Sequence, residues 1–127
     1  MTECDITIRD YRDLDVWKRS HELTVEIYLV TKEYPKEEIY GLTSQIRRAA
    51  YSIPANIAEG NGRHHLKEYI QALYISRSSL HEVKYFLLLS KDIGYLDEKK
   101  YNELINKSER VGMMLMGLIR SLKNGKS

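Results

Sequence analysis

Apolar residues recur along this chain in alternating steps of three and four, in four stretches separated by polar breaks. Val16, Ser20, Leu23, Ile27, Val30 and Tyr34 form the first stripe, with Asp13 or Asp15 placed to cap its start and Pro35 to end it. The second runs from about Leu42 to Glu59 on Leu42, Ile46, Ala49, Ile53 and Ile57. The third spans about His65 to Asp92 through Tyr69, Leu73, Ser76, Leu80, Val83, Leu87 and Ser90, with Gly94 at its stop. Asp97 caps the fourth, and Leu96 with Tyr101 has the spacing of a hydrophobic staple ahead of Leu104, Ser108, Val111, Leu115, Leu118 and Leu122. No stretch alternates with the period of a strand. The pattern predicts an all-α fold, an antiparallel up-down four-helix bundle of left-handed twist over residues 13–123, with tails at 1–12 and 124–127.

A second apolar stripe widens two of these helices. Leu66, Ile70, Tyr74, Phe86, Leu88 and Leu89 add to the third, and Ile105, Met113, Met114, Met116 and Ile119 to the fourth. That arc is broader than one core seam needs, which predicts a homo-oligomer.

Composition narrows the class without naming a chemistry. At 127 residues, 43% hydrophobic and 30% charged, the chain suits one soluble domain. No apolar run spans a bilayer, the first residues lack a signal-peptide core, and Cys4 stands alone, so a cytoplasmic protein without disulfides is expected. Net charge is only +2, but it is unevenly spread. Asp13 to Glu38 sums to −3, Tyr40 to Lys67 to +3, and Glu98 to Ser127 to +4. A basic face for an anionic partner fits this distribution; so does mutual neutralisation of helices within or between subunits.

Catalytic and metal-binding patterns are scarce in this chain. His21-Glu22 and His81-Glu82 begin like zinc-protease helices, but Val25 and Tyr85 stand where the second histidine must be. No histidine follows a glutamate at the Glu-x-x-His spacing of di-iron bundles, and the serines Ser52, Ser76, Ser78, Ser79 and Ser90 sit inside helices rather than on an exposed elbow. No enzyme, cofactor, metal or small-molecule substrate is expected.

Gln45 to Arg63, QIRRAAYSIPANIAEGNGR, departs most from a plain amphipathic helix. Pro54 removes a backbone donor in mid-helix and is expected to bend it. Ala49, Ala50, Ala55 and Ala58 permit close approach there, and Asn56 is placed to bond a freed carbonyl or a partner. One of Arg47 and Arg48 is expected to pair with a glutamate such as Glu59 while the other faces outward. Gly60-Asn61-Gly62-Arg63 reads either as a phosphate cradle helped by Arg63 and Lys67, or as a left-handed helix stop. The ten tyrosines, Tyr40, Tyr51, Tyr69 and Tyr74 among them, suit base stacking or seam packing alike.

Leu14-Asp15-Val16-Trp17, Tyr34-Pro35, Tyr40 to Ala49, Ser52 to Gly60, Gly62-Arg63, Ser79-Leu80 with Glu82, and Gly94-Tyr95-Leu96 together resemble the 23S ribosomal RNA intervening-sequence proteins. His64, His65 and Ser78 depart from that pattern. The resemblance implies a bacterial, ribosome-associated bundle that assembles into a ring, commonly a homopentamer, and associates with structured RNA or a ribonucleoprotein. It implies no catalytic residue. The expected RNA contacts are Arg47, Arg48, Arg63 and Lys67, with Arg120 and Lys123 as outer contributors, while Pro54, Asn56, Glu59, Gly60 and Gly62 serve packing. The alternative is an oligomeric protein–protein adaptor with no nucleic-acid role.

Overall fold

The computed structural model describes residues 10–125; Cys4 and most of the 1–12 tail lie outside them. Four helices follow one another: α1 (Asp15–Thr31), α2 (Leu42–Asn61), α3 (Leu66–Asp92) and α4 (Glu98–Lys123). Short 3-10 turns at Tyr11–Asp13 and Lys36–Glu38 precede α1 and α2. Among the described residues there is no strand, and no helix is long and apolar enough to cross a membrane.

The predicted stripes form one core in which Leu23, Ile27, Ile46, Ile53, Ile57, Leu73, Leu80, Leu87, Leu104 and Leu115 are fully buried. Pairs across adjacent helices run in opposite residue order: Arg48 with Glu82, Ser52 with Ser79, Ser76 with Ile53, and Asn61 with Tyr69 between α2 and α3. Small residues let the helices close. The Ser76 hydroxyl donates to the Ile53 carbonyl across the seam at 2.9 Å, whereas Ser20, Ser90 and Ser108 return theirs to carbonyls one turn back. No buried hydroxyl in this set is left unpaired.

Several ends differ from expectation. Neither Asp13 nor Asp15 caps α1; Leu14 holds the cap position without a side-chain bond, and Asp10 instead accepts from the Arg12 amide at 2.9 Å to cap the preceding turn. Tyr11 and Arg12, expected in the tail, belong to that turn, with Tyr11 edge-on to Trp17. α1 ends at Thr31, short of Tyr34, because the chain tightens into bonds spanning three residues, Lys32 to Leu29, Glu33 to Val30 and Tyr34 to Thr31. In α4 the buried position is Ile119 rather than Leu118, so Ile119 belongs to the core and not to the second stripe.

Asp97 caps α4 as expected, accepting from the Lys100 amide at 2.7 Å. Gly94, at φ 88°, closes α3 in a Schellman motif: the Tyr95 amide reaches the Ser90 carbonyl at 2.9 Å and the Gly94 amide the Lys91 carbonyl at 3.1 Å.

α2 runs on through Pro54, which is buried. Proline has no N–H for the Ala50 carbonyl one turn earlier. The Thr24 hydroxyl of α1 lies 3.1 Å from that carbonyl and 2.8 Å from Ser20 O, so its single proton serves both. The Asn56 side chain donates to the Ser52 carbonyl one turn back in α2 at 2.8 Å, not to the carbonyl that Pro54 frees. The proline gap is thus filled from a neighbouring helix.

The start of α2 depends on Glu38. Its carboxylate accepts from the Leu42 amide at 3.0 Å and from the Tyr95 hydroxyl at 2.8 Å, tying the α1–α2 loop to the α3–α4 turn. The Leu42 amide first, and the Tyr95 hydroxyl second, hold the Glu38 carboxyl below its usual range. A depressed folded-state value stabilises above the unfolded pKa, and that contribution fades as pH falls through the depressed value. Glu38→Gln should therefore flatten the drop in melting temperature between about pH 5 and pH 2. Acid melting curves running parallel to those of the wild type would contradict this contact.

Candidate nucleic-acid interface

The six basic residues singled out by sequence do not share one environment. Arg47 lies on the α1–α2 seam: its Nε donates to the Thr31 hydroxyl at 2.8 Å, one terminal nitrogen to the Tyr28 carbonyl at 3.3 Å, and its guanidinium sits 4.7 Å from the Tyr28 ring centre. The positive charge meets the carbonyl end of α1, where the helix dipole favours it. Arg48 faces α3, 3.6 Å from Glu82 and 3.3 Å from Gln45 Oε1. Neither pairs with Glu59.

Glu59 belongs to Arg63, one turn on, at 3.0 Å, and Arg63 also reaches Glu68 at 3.8 Å. The Gly60-Asn61-Gly62 exit is not a left-handed stop. Gly62 has φ −87°, and its amide and that of Arg63 bond to Glu59 and Gly60 carbonyls in a tightened right-handed turn. Gly60 is needed for closeness: a Cβ there would lie 2.7 Å from the Ala72 methyl carbon and 3.0 Å from the Tyr69 ring. The Asn61 amide donates to the Tyr69 hydroxyl at 3.3 Å, and burial pushes that phenol up. The phosphate-cradle reading is weakened too, because Glu68 already places a carboxylate in the first turn of α3 beside Arg63.

Lys67, Arg120 and Lys123 are exposed, and no carboxylate pairs with any of them among the described residues. Lys123 donates to the Tyr74 hydroxyl at 2.8 Å, which sets the last turn of α4 beside α3. Tyr74 is seven residues beyond Lys67, hence on the same face about 10 Å along the helix. Arg77 stands one turn further and lines a cleft with Arg120. The sequence reading missed Arg77 and His81, although Lys67, Tyr74, Arg77, His81 and Lys84 recur at steps of seven, three, four and three. That spacing marks one helical face, but only the packing of α4 on α3 shows that this face meets Arg120.

The second apolar stripe is only partly exposed. Ile70, Tyr74, Phe86, Ile105, Met114 and Met116 pack against the monomer's own core, while Leu66, Leu88 and Met113 remain open to solvent. Other large apolar residues do face out, among them Val25 and Leu29 on α1, Tyr51 on α2, and Ile75 and Tyr85 on α3. Among the described residues no three of His, Cys, Asp and Glu converge as a metal site would require.

Among curated proteins, none matches this chain. A 1.70 Å crystal structure of a protein with unknown function, from the S23 ribosomal protein family of Bacteroides thetaiotaomicron VPI-5482, is similar to it, with a TM-score of 0.76 and 26% identity over 83% of this chain and 95% of that one. The pattern of the 23S rRNA-intervening sequence proteins matches residues 12–117, which span all but the last turns of α4. On that match over residues 12–117, the chain belongs to the 23S rRNA-intervening sequence protein family.

Proposed function

We propose that this protein is a non-enzymatic, cytoplasmic accessory protein that forms a homo-oligomer, a five-membered ring by its resemblance, and holds structured RNA by its phosphates. The observation that carries the reading is the row of cations without carboxylate partners, Lys67, Arg120 and Lys123, where the last turn of α4 lies along α3. Arg63, on the α2 side of the start of α3, can exchange its exposed glutamate partners for phosphate, since surface ion pairs contribute about 0–1 kcal/mol. Arg47 and Arg48 support it by packing: a phosphate contact would cost Arg47 its bonds to the end of α1. Contacts of this kind give weak sequence preference and strong salt dependence. Exposed apolar residues such as Leu29 and Tyr85 support subunit contacts.

Charge reversal separates this reading from an adaptor that binds only protein. Arg63→Glu with Lys67→Glu should weaken binding of an RNA hairpin at least about tenfold at low salt while light scattering reports the same assembled mass. An unchanged RNA affinity, or a loss of assembly, would favour the adaptor.

A further inference from the structure

Between α3 and α4 lies a cleft of about 330 Å³ lined by Arg77 and Leu80 of α3 and by Gly112, Met113, Met116 and Arg120 of α4. We propose that this cleft takes one unpaired nucleotide of RNA, its phosphate held between Arg77 and Arg120 and its base laid over Met113 and Met116. The inference rests on the RNA reading above and narrows it to loops or single strands.

Charge is the first argument. Lys84 and Glu109 neutralise each other across the seam at 3.1 Å, which leaves Arg77 on one wall and Arg120 on the other with no carboxylate partner among the described residues. A phosphate entering between two guanidiniums that line one cleft from different helices would gain paired, planar hydrogen bonds from both sides. The cleft between α1 and α4 makes the contrast. It has the same volume, about 330 Å³, but two carboxylates, Glu22 and Glu103, line it beside Arg19, Lys107 and Arg110, and Lys107 is engaged by Glu26.

Shape is the second. A Cβ at Gly112 would lie 3.2 Å from a Leu80 methyl, so glycine lets the floor sit deep between the helices. Met113, 74% exposed, stands at the rim. Methionine is flexible and polarizable and makes favourable contacts with aromatic rings. A base paired in a duplex has both faces covered by its neighbours, so only an unpaired one can offer its face to this floor.

The test uses the full chain with its methionine methyl groups labelled for NMR, and three probes: a single-stranded, unpaired oligoadenylate, a blunt RNA duplex of equal length, and inorganic phosphate. The oligoadenylate should shift the Met113 and Met116 methyls upfield by ring current and leave Met114, which is half-buried outside the cleft, in place. Duplex and phosphate should not move them. Arg77→Glu with Arg120→Glu, both exposed positions, should abolish the shifts, keep the melting temperature, and reduce the salt slope of oligoadenylate binding by about one. Oligoadenylate bound with stationary methyls, or equal shifts from duplex, would overturn the cleft assignment and leave the RNA reading standing. Failure to bind RNA of either kind would overturn both.

Discussion

One methyl group added at Gly60 should destabilise this protein, and the same group added at Gly117 should stabilise it. Both glycines lie inside helices, where alanine is intrinsically favoured by about 1 kcal/mol. At Gly117 an added Cβ meets nothing within 4 Å, so the full propensity gain of about 0.5–1 kcal/mol should appear. At Gly60 it would lie 2.7 Å from the Ala72 Cβ and 3.3 Å from the Tyr69 carbonyl, neither of which is the end of a flexible side chain. α2 and α3 must then separate, and overpacking of this kind costs about 1–3 kcal/mol, enough to outweigh the propensity term. Gly60→Val, with two further carbons, should cost roughly 3 kcal/mol or more, a fall in melting temperature of roughly 10 °C. Thermal unfolding of the three variants decides the matter; a Gly60→Ala protein as stable as Gly117→Ala would contradict the close approach.

The second large effect concerns the carbonyl that Pro54 leaves without its helical donor. Thr24→Val keeps the shape of the side chain and removes the hydroxyl that serves Ala50 O. With Thr24 buried, an unsatisfied carbonyl should cost about 1–3 kcal/mol. In a Pro54→Ala background the amide at position 54 returns to that carbonyl, and Thr24→Val should then cost less by at least about 0.5 kcal/mol. Equal costs in the two backgrounds would show that threonine and proline are not coupled. Urea denaturation of the four proteins completes the cycle.

These two sites show what the sequence disclosed and what it withheld. The four helices were legible because stripes such as Ile46, Ala49, Ile53 and Ile57 fix a buried face by spacing alone, and Asp97 and Gly94 punctuate them by local chemistry. Pro54 and Gly60 announced themselves as departures, but their partners, Thr24 and Ala72, are distant in sequence and follow from helix register in three dimensions. The cap of α1 was misassigned because Asp13 and Asp15 both suit one by residue type, whereas the backbone puts Leu14 at that position and Asp10 at the cap of the turn before it.

The candidate interface was less legible than the core. Arg47 and Arg48 looked alike as neighbours, yet 100° of helix rotation sends one to the carbonyl end of α1 and the other to Glu82 on α3. Which cations stay without a carboxylate depends on where the acids of other helices fall, and no local pattern encodes that. Arg77 was overlooked for the same reason: its significance comes from Arg120, which only the packing of α4 on α3 brings to the same cleft.

The account turns on phosphates being held by the cations along α3 and the last turns of α4. Its most direct test is the affinity of the wild-type protein for an RNA hairpin, measured from low to moderate salt. If Arg63, Lys67, Arg120 and Lys123 contact phosphates, the logarithm of the association constant should fall with the logarithm of salt concentration at a slope of about −3 or steeper. A flat dependence, or no binding by protein that still assembles, would contradict it.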